Sequence, residues 1–146
     1  MDHEAYMQQA IEVARGNPRA PFGTILVDVE ENRRVGAGLN RSASNPILHG
    51  EIDAINQYAQ QHAKRWSHLR LYTTAEPCCM CQSAIIWSGI PEVVFGTSVE
   101  KLVELGWNQI DLKAVDVAEA ALFGRCTVLG GVMADACDRL FELARS

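Results

Sequence analysis

The sequence predicts a three-layer α/β domain in which helices cover both faces of a five-stranded mixed sheet. Two observations carry this. After an opening helix and hairpin, strand-like and helix-like segments alternate to the end of the chain, in the order α-β-β-α-β-α-β-α-(α)-β-α. Such alternation places helices against both faces of a sheet. The 146 residues, 48% of them apolar and 21% charged, are near the commonest size for one domain and have an ordinary globular composition. A core of that size needs no disulfides. No linker, repeat or low-complexity tract divides the chain, so residues 1–146 are expected to form one domain.

Each element has its own signal. In residues 2–15, Met7, Ala10, Ile11 and Ala14 fall at helical spacing on one face. The stretch "GNPRAPFG" ends that helix, because glycine and proline both interrupt helical backbone. "TILVDV" (24–29) and "VGAGLN" (35–40) read as strands of a hairpin turned by "EENRR". After the loop "RSASNP" a helix is expected over about 49–63, with Ile52, Ile55, Ala59 and Ala63 inward. "LRLYT" (69–73) is the third strand. The helix that follows, roughly 79–89, is apolar nearly all round and is expected to be buried, Trp87 included. "EVVFGT" (92–97) is the fourth strand, and short helices are expected near 98–105 and 115–122. "CTVLGG" (126–131) is the fifth strand. The last helix carries Cys137, Leu140, Phe141 and Ala144 at i, i+3, i+4 and i+7.

Charge and cysteine usage exclude some function classes. A net charge of −5 argues against a protein whose main work is gripping phosphate backbones, which favours a basic footprint. The opening "MDHEAYMQQAIEVAR" begins with acids and has no long apolar run, so no signal peptide is expected. No apolar segment approaches the length of a membrane span. The expected compartment is the cytoplasm, where thiols stay reduced. The five cysteines, an odd number, fit poorly with full pairing, and a dense cluster in that setting is more often metal-binding or catalytic.

Two short motifs carry the chemistry. "HGE" (His49, Gly50, Glu51) opens one helix, and "PCCMC" puts Cys78 and Cys81 three apart at the start of the next. One imidazole and two thiolates make a three-ligand set. Zinc accepts such a set tetrahedrally and keeps a fourth position open for water, the mark of a catalytic rather than a structural site. Cysteines three apart on a helix share a face. A helix N-terminus, with unpaired N–H groups and the positive end of the dipole, favours thiolates. Glu51, two residues from the histidine, is placed to act as a base and to carry protons. Redox chemistry at Cys78 and Cys81 would explain neither His49 nor Glu51. Cys79 points about 100° away around the helix and reads as a small buried filler that would tolerate Val or Pro. Cys126 and Cys137 read as core residues.

H-x-E followed by P-C-x-x-C resembles the zinc-dependent cytidine and deoxycytidylate deaminase superfamily, whose signature is known. The likeness runs from "PFGTILVD" through "NRS", "HGEIDAI", "LYTTAEPCCMC" and "SGIPEVVFGT". Within the superfamily the chain is most similar to the guanine deaminase and tRNA-adenosine deaminase branch, which shares "PFG" and Asn40. The resemblance implies a cytidine deaminase-like α/β/α sandwich, homodimer assembly and one zinc ion per chain, ligated by His49, Cys78 and Cys81. It implies that Glu51 shuttles protons, Asn40 hydrogen-bonds the base and Phe22 lines the pocket. The backbone N–H groups of Gly50 and Cys78 would contact ring atoms or developing charge. The implied reaction is hydrolytic, with ammonia leaving from a small amino-purine or related heterocyclic base or nucleoside, guanine-like first.

The chain departs from the pattern in places. Gly50 stands where relatives have Ala. "GWNQ" (106–109) carries neutral Asn108 and Gln109 where guanine deaminases tend to be acidic. The terminal helix ends "CDRLFELARS" rather than in a basic run, which weakens a tRNA A-to-I reading. A cytosine or cytidine type of deaminase and a non-catalytic zinc-binding scaffold subunit are the remaining alternatives; the intact Glu51 speaks against the second. Trp107 could stack on a substrate ring or pack against a dimer partner. His3, His62 and His68 read as bystanders, and Lys64, Arg65 and Arg70 as a solvated loop rather than a nucleic-acid patch.

Overall fold

The computed structural model describes residues 2–145. Its elements are α1 (His3–Ala14), β1 (Gly23–Asp28), β2 (Arg33–Leu39), α2 (Gly50–Ala59), β3 (Leu69–Ala75), α3 (Cys79–Ser88), β4 (Glu92–Thr97), α4 (Val99–Glu104), α5 (Ala114–Ala120), β5 (Thr127–Leu129) and α6 (Ala134–Ala144), with one 3-10 turn at Trp66–His68. The sheet has five strands in the order β2-β1-β3-β4-β5. β1 pairs antiparallel with β2 and β3, and β3, β4 and β5 run parallel. The expected mixed sheet is therefore present, with the hairpin at one edge.

The period-2 alternation of the strands divides the core in two. Ile25, Val27, Tyr72 and Val94 point to one face and pack on Met7, Ala10 and Ile11 of α1 and on Cys137 of α6. Leu26, Leu69, Leu71 and Val93 point to the other and pack on Ala54 and Tyr58 of α2 and Ile85 of α3. A smaller third cluster of Ala75, Leu102 and Phe141, with Phe22, Leu105 and Trp107 packed against it, lies towards the ends of β3 and α6.

Several expectations from sequence are corrected. α2 ends at Ala59 and turns a different face inward: Gly50, Glu51, Asp53, Ala54 and Tyr58 are buried, whereas Ala59 and Ala63 are exposed and Ile52 and Ile55 only half-buried. Two carboxylates hold the inward positions that apolar periodicity assigns to isoleucine. Trp87 is not core: it is 76% exposed and stacks on Phe123 with ring centroids 4.4 Å apart. α3 is apolar on more faces than its neighbours can cover. Cys79 and Cys126 are half-buried rather than core, and Cys137 is fully buried. His3 lies within α1, with Nδ1 2.7 Å from the Tyr72 hydroxyl. The fifth strand is cut to three residues, Thr127–Leu129.

One close approach sets where α2 starts. A Cβ at Gly38 in β2 would overlap the Gly50 carbonyl and the Ala54 backbone nitrogen. The missing side chain lets the first turn of α2 lie directly on the strand. Gly38→Ala is therefore expected to lower stability by about 3 kcal/mol, the upper end of overpacking costs, read as a drop in denaturant midpoint with an unchanged slope. A midpoint equal to the wild type would show that the backbone yields freely here.

Candidate active site

His49 and Cys78 occupy equivalent places, as the N-cap residues of α2 and α3. Both helices bring their N-termini to one point. The His49 Nδ1 lies 3.6 Å from the Cys78 Sγ and 3.6 Å from the Cys81 Sγ. Bonds of about 2.3 Å to sulfur and about 2.05 Å to nitrogen at a tetrahedral angle put those atoms about 3.6 Å apart. The donor set thus fits a zinc ion by both chemistry and spacing, and these three residues form the metal-competent group among the described residues. Cys79 stands outside it.

The protonation of the metal-free cluster follows from these contacts. Hydrogen bonding from Cys81, and then from His49, pulls the Cys78 thiol down to about 4 despite its burial. Cys81, donating to Cys78 and buried beside Glu51, is pushed far up and stays a thiol. The Cys78 sulfur raises His49, against the effect of burial.

Glu51 lies beside this cluster and is 4% exposed. Its Oε1 accepts hydrogen bonds from Thr24 Oγ1 (3.3 Å) on β1 and Thr73 Oγ1 (3.2 Å) on β3. Burial first, and the Cys78 charge second, raise its pKa. Gly50 allows this placement: a Cβ there would meet the Phe22 carbonyl at 2.7 Å and Thr24 Oγ1 at 3.2 Å. This is a local reason for glycine in the middle of "HGE".

The cluster opens into a cavity of about 350 Å³ lined by Phe22, Asn40, Ser42, His49, Glu51, Glu76, Cys78, Trp107, Asn108, Gln109 and Arg145, among others. That volume is at the lower end for small-molecule sites. The sequence-derived residues Phe22, Asn40, His49, Glu51, Cys78 and Trp107 all reach its wall. Cys81 and Gly50 are buried behind it. Asn40 is held by its Oδ1, which accepts from the Ser42 amide (3.0 Å) and hydroxyl (2.7 Å). The Phe22 carbonyl accepts from the Asn40 amide (3.1 Å), tying two wall residues together. Phe22 meets Trp107 edge-on, with centroids 5.4 Å apart, and the Arg145 guanidinium lies 5.2 Å from the Trp107 ring centre.

Sequence reasoning missed the residues that hold this wall. Asp53 accepts from the Leu39 amide (2.9 Å) and Arg41 Nε (3.2 Å), binding α2 to the end of β2 beside Asn40. Thr74 Oγ1 donates to the Pro21 carbonyl (2.9 Å) and accepts from the Gly23 amide (3.1 Å), fixing the loop that carries Phe22. Glu76 accepts from the amides of Val99 (2.9 Å) and Ala114 (2.8 Å), the first residues of α4 and α5. One carboxylate thereby caps two helices. The available signal was polar residues inside apolar strand runs (Thr24, Thr73, Thr74) and an acid just before "PCC". In the basic stretch at 64–70, Arg65 pairs with Asp28 (2.8 Å), Glu30 and Glu31, Arg70 pairs with Glu92, and Lys64 Nζ donates to the Ala59 carbonyl (3.1 Å).

A family model described as the cytidine and deoxycytidylate deaminase zinc-binding region matches residues 1–97, which contain all three metal-competent residues and Glu51. The chain belongs to this family. Deaminases of this family are zinc-dependent hydrolytic enzymes acting on C–N bonds. Among curated relatives, a probable cytosine deaminase of Schizosaccharomyces pombe is 38% identical over 69% of this chain, and the match spans 64% of that protein's length. A tRNA-specific adenosine deaminase of Streptococcus pyogenes is 31% identical over 94% of this chain and 80% of its own. Among solved structures, a guanine deaminase of Nitrosomonas europaea superposes with a TM-score of 0.85 at 24% identity, covering 99% of this chain and 85% of that one, and shares the fold. The guanine deaminase of Bacillus subtilis superposes with a TM-score of 0.66 at 26% identity, over 88% and 86% of the two chains.

Metal uptake has a measurable proton signature. Zinc requires thiolate sulfur and neutral imidazole. Hydrogen bonding to Cys78 and burial hold the Cys81 thiol far up, and the Cys78 sulfur raises His49. Loading zinc at pH 7 is expected to release about one to two protons and to weaken as pH falls. Calorimetric titration in buffers of different ionisation enthalpy checks this; a heat independent of buffer would contradict the cluster described.

Proposed function

We propose that the protein is a zinc-dependent hydrolytic deaminase that releases ammonia from a small amino-purine or related heterocyclic base or nucleoside, with a guanine-like ring first. The observation that carries this reading is the placement of Glu51. It is a buried carboxylate held by two threonine hydroxyls, beside a zinc-competent triad, on the wall of a cavity sized for one flat ring.

His49, Cys78 and Cys81 would hold the zinc ion. Zinc supplies Lewis-acid character that lets water lose a proton near neutral pH. The chain's own residues do the rest. Glu51 takes that proton, passes it to a ring nitrogen, and delivers the second proton of water to the departing amine. The C–O bond forms as water adds across the ring C=N, and the C–N bond to the amine then breaks, so the C(NH2)=N unit and water become C(=O)–NH and ammonia. With Asn40 Oδ1 engaged by Ser42, the amide nitrogen is the end left for a ring acceptor. Phe22 and Trp107 supply the apolar aromatic wall.

A second reading, tRNA adenosine deamination, is favoured by the Streptococcus pyogenes relative, which matches over most of the chain. The acidic net charge and the ion-paired Arg65 and Arg70 support the small-molecule reading over it, since RNA binding draws on unpaired cations. We place the protein in the cytoplasm; no described helix is long and apolar enough to cross a membrane.

The zinc-loaded protein is expected to release ammonia from free heterocyclic bases and to form no inosine in tRNA. Glu51→Gln should lower the rate by about 10²–10⁴, the worth of a general acid–base, with zinc retained. Inosine formation would select the second reading, and a Glu51→Gln enzyme at wild-type rate would sink both.

The assembly we propose is a homodimer, in line with the exposed Trp87, Leu122 and Phe123. Sedimentation should give twice the 16.1 kDa chain mass; a monomer at high protein concentration would overturn this.

A further inference from the structure

Cys78 and Cys81 have a second chemistry open to them. Both are free thiols, and their sulfurs lie within 4.8 Å of one another. Cys78 is the N-cap of α3 and Cys81 falls in its first turn. That is the Cys-x-x-Cys arrangement of dithiol–disulfide oxidoreductases. The Cys78 backbone, at φ −64° and ψ 168°, is extended rather than helical, so this residue stands at the mouth of the helix and not within its spiral.

The two thiols differ in access. Cys78 is half-buried and lines the catalytic cavity, whereas Cys81 is fully buried behind it. A small solute entering the cavity therefore meets the Cys78 sulfur first. The other thiols are placed elsewhere. Cys79 lies outside the cluster. The Cys126 sulfur accepts from Gln82 Nε2 at 3.4 Å, and Cys137 is buried in the core on the opposite face of the sheet.

We propose that Cys78 and Cys81 form a peroxide-sensitive switch, in which hydrogen peroxide closes a disulfide between them at the expense of the metal and a dithiol reopens it. Peroxide transfers one oxygen to the Cys78 sulfur, leaving a sulfenic acid and water. The Cys81 sulfur then attacks that sulfur, so that the S–S bond forms, the S–O bond breaks and a second water leaves. Two thiols lose two electrons, and one peroxide gains them. The disulfide removes two of the three metal donors, because zinc binds thiolate sulfur. The same two sulfurs hold the metal, so metal and oxidant compete for one pair. The sulfur that peroxide reaches has a partner directly behind it, which stops oxidation at the reversible stage. The switch needs the zinc-competent triad and is independent of which ring is deaminated.

Zinc-loaded protein is treated with hydrogen peroxide, with and without excess zinc. Free thiols, disulfide-linked peptides and released metal are then measured. Each chain that reacts is expected to lose two thiols, to join residues 78 and 81 and to release one zinc ion. Excess zinc should slow the closure, and dithiothreitol followed by zinc should restore both thiols and metal. Cys79→Ser should change none of this. Cys81→Ser leaves Cys78 without a partner, and its oxidation should run on to sulfinic and sulfonic acids that dithiothreitol does not reverse. A disulfide that engages Cys79 or a second chain, closure indifferent to zinc, or zinc loss with both thiols intact would overturn the proposal.

Discussion

The site depends on one constraint: two helices must start at the same point. His49 and Cys78 are the N-caps of α2 and α3, and their side chains meet at 3.6 Å because those N-termini converge. The unpaired amides and the positive dipole ends of both helices then face a cluster that must carry thiolate charge. Gly38 and Gly50 permit the convergence by letting α2 lie against β2 and β1 with no side chain between. Asp53 then pins the same helix to the Leu39 amide. Relaxing any of these would move His49 relative to the cysteines, and a tetrahedral donor set tolerates only a few tenths of an ångström.

Burial of Glu51 is the second determinant. A carboxylate removed from water costs free energy unless it is paired or hydrogen-bonded. Two threonine hydroxyls, one from each of the antiparallel strands β1 and β3, offset part of that cost. The remainder appears as a raised pKa. A bound divalent cation next to it would shift the balance back towards the carboxylate. The proton affinity of Glu51 is therefore coupled to the state of the metal cluster.

The opposite wall is built by a different device. Glu76 leaves the strand end one residue before Pro77 and caps α4 and α5 together. The segment that leads to the metal-competent cysteines and the segment that carries Trp107 and Gln109 are thereby held by one side chain.

The sequence by itself determined the strand and helix order, the mixed sheet, the zinc-competent triad and the neighbouring carboxylate. These are written in short-range patterns: period-2 and helical spacing, H-x-E, and C-x-x-C after a strand. It did not determine which face of α2 turns inward. Apolar periodicity pointed to Ile52, Ile55, Ala59 and Ala63, and tertiary contact chose the face bearing Glu51 and Asp53. Nor did it show that Trp87 is exposed, because an all-apolar helix does not say how many of its faces find cover. Asp53, Glu76, Thr24 and Thr73 became legible only once residues from 14 to 38 positions apart were brought into hydrogen-bonding distance.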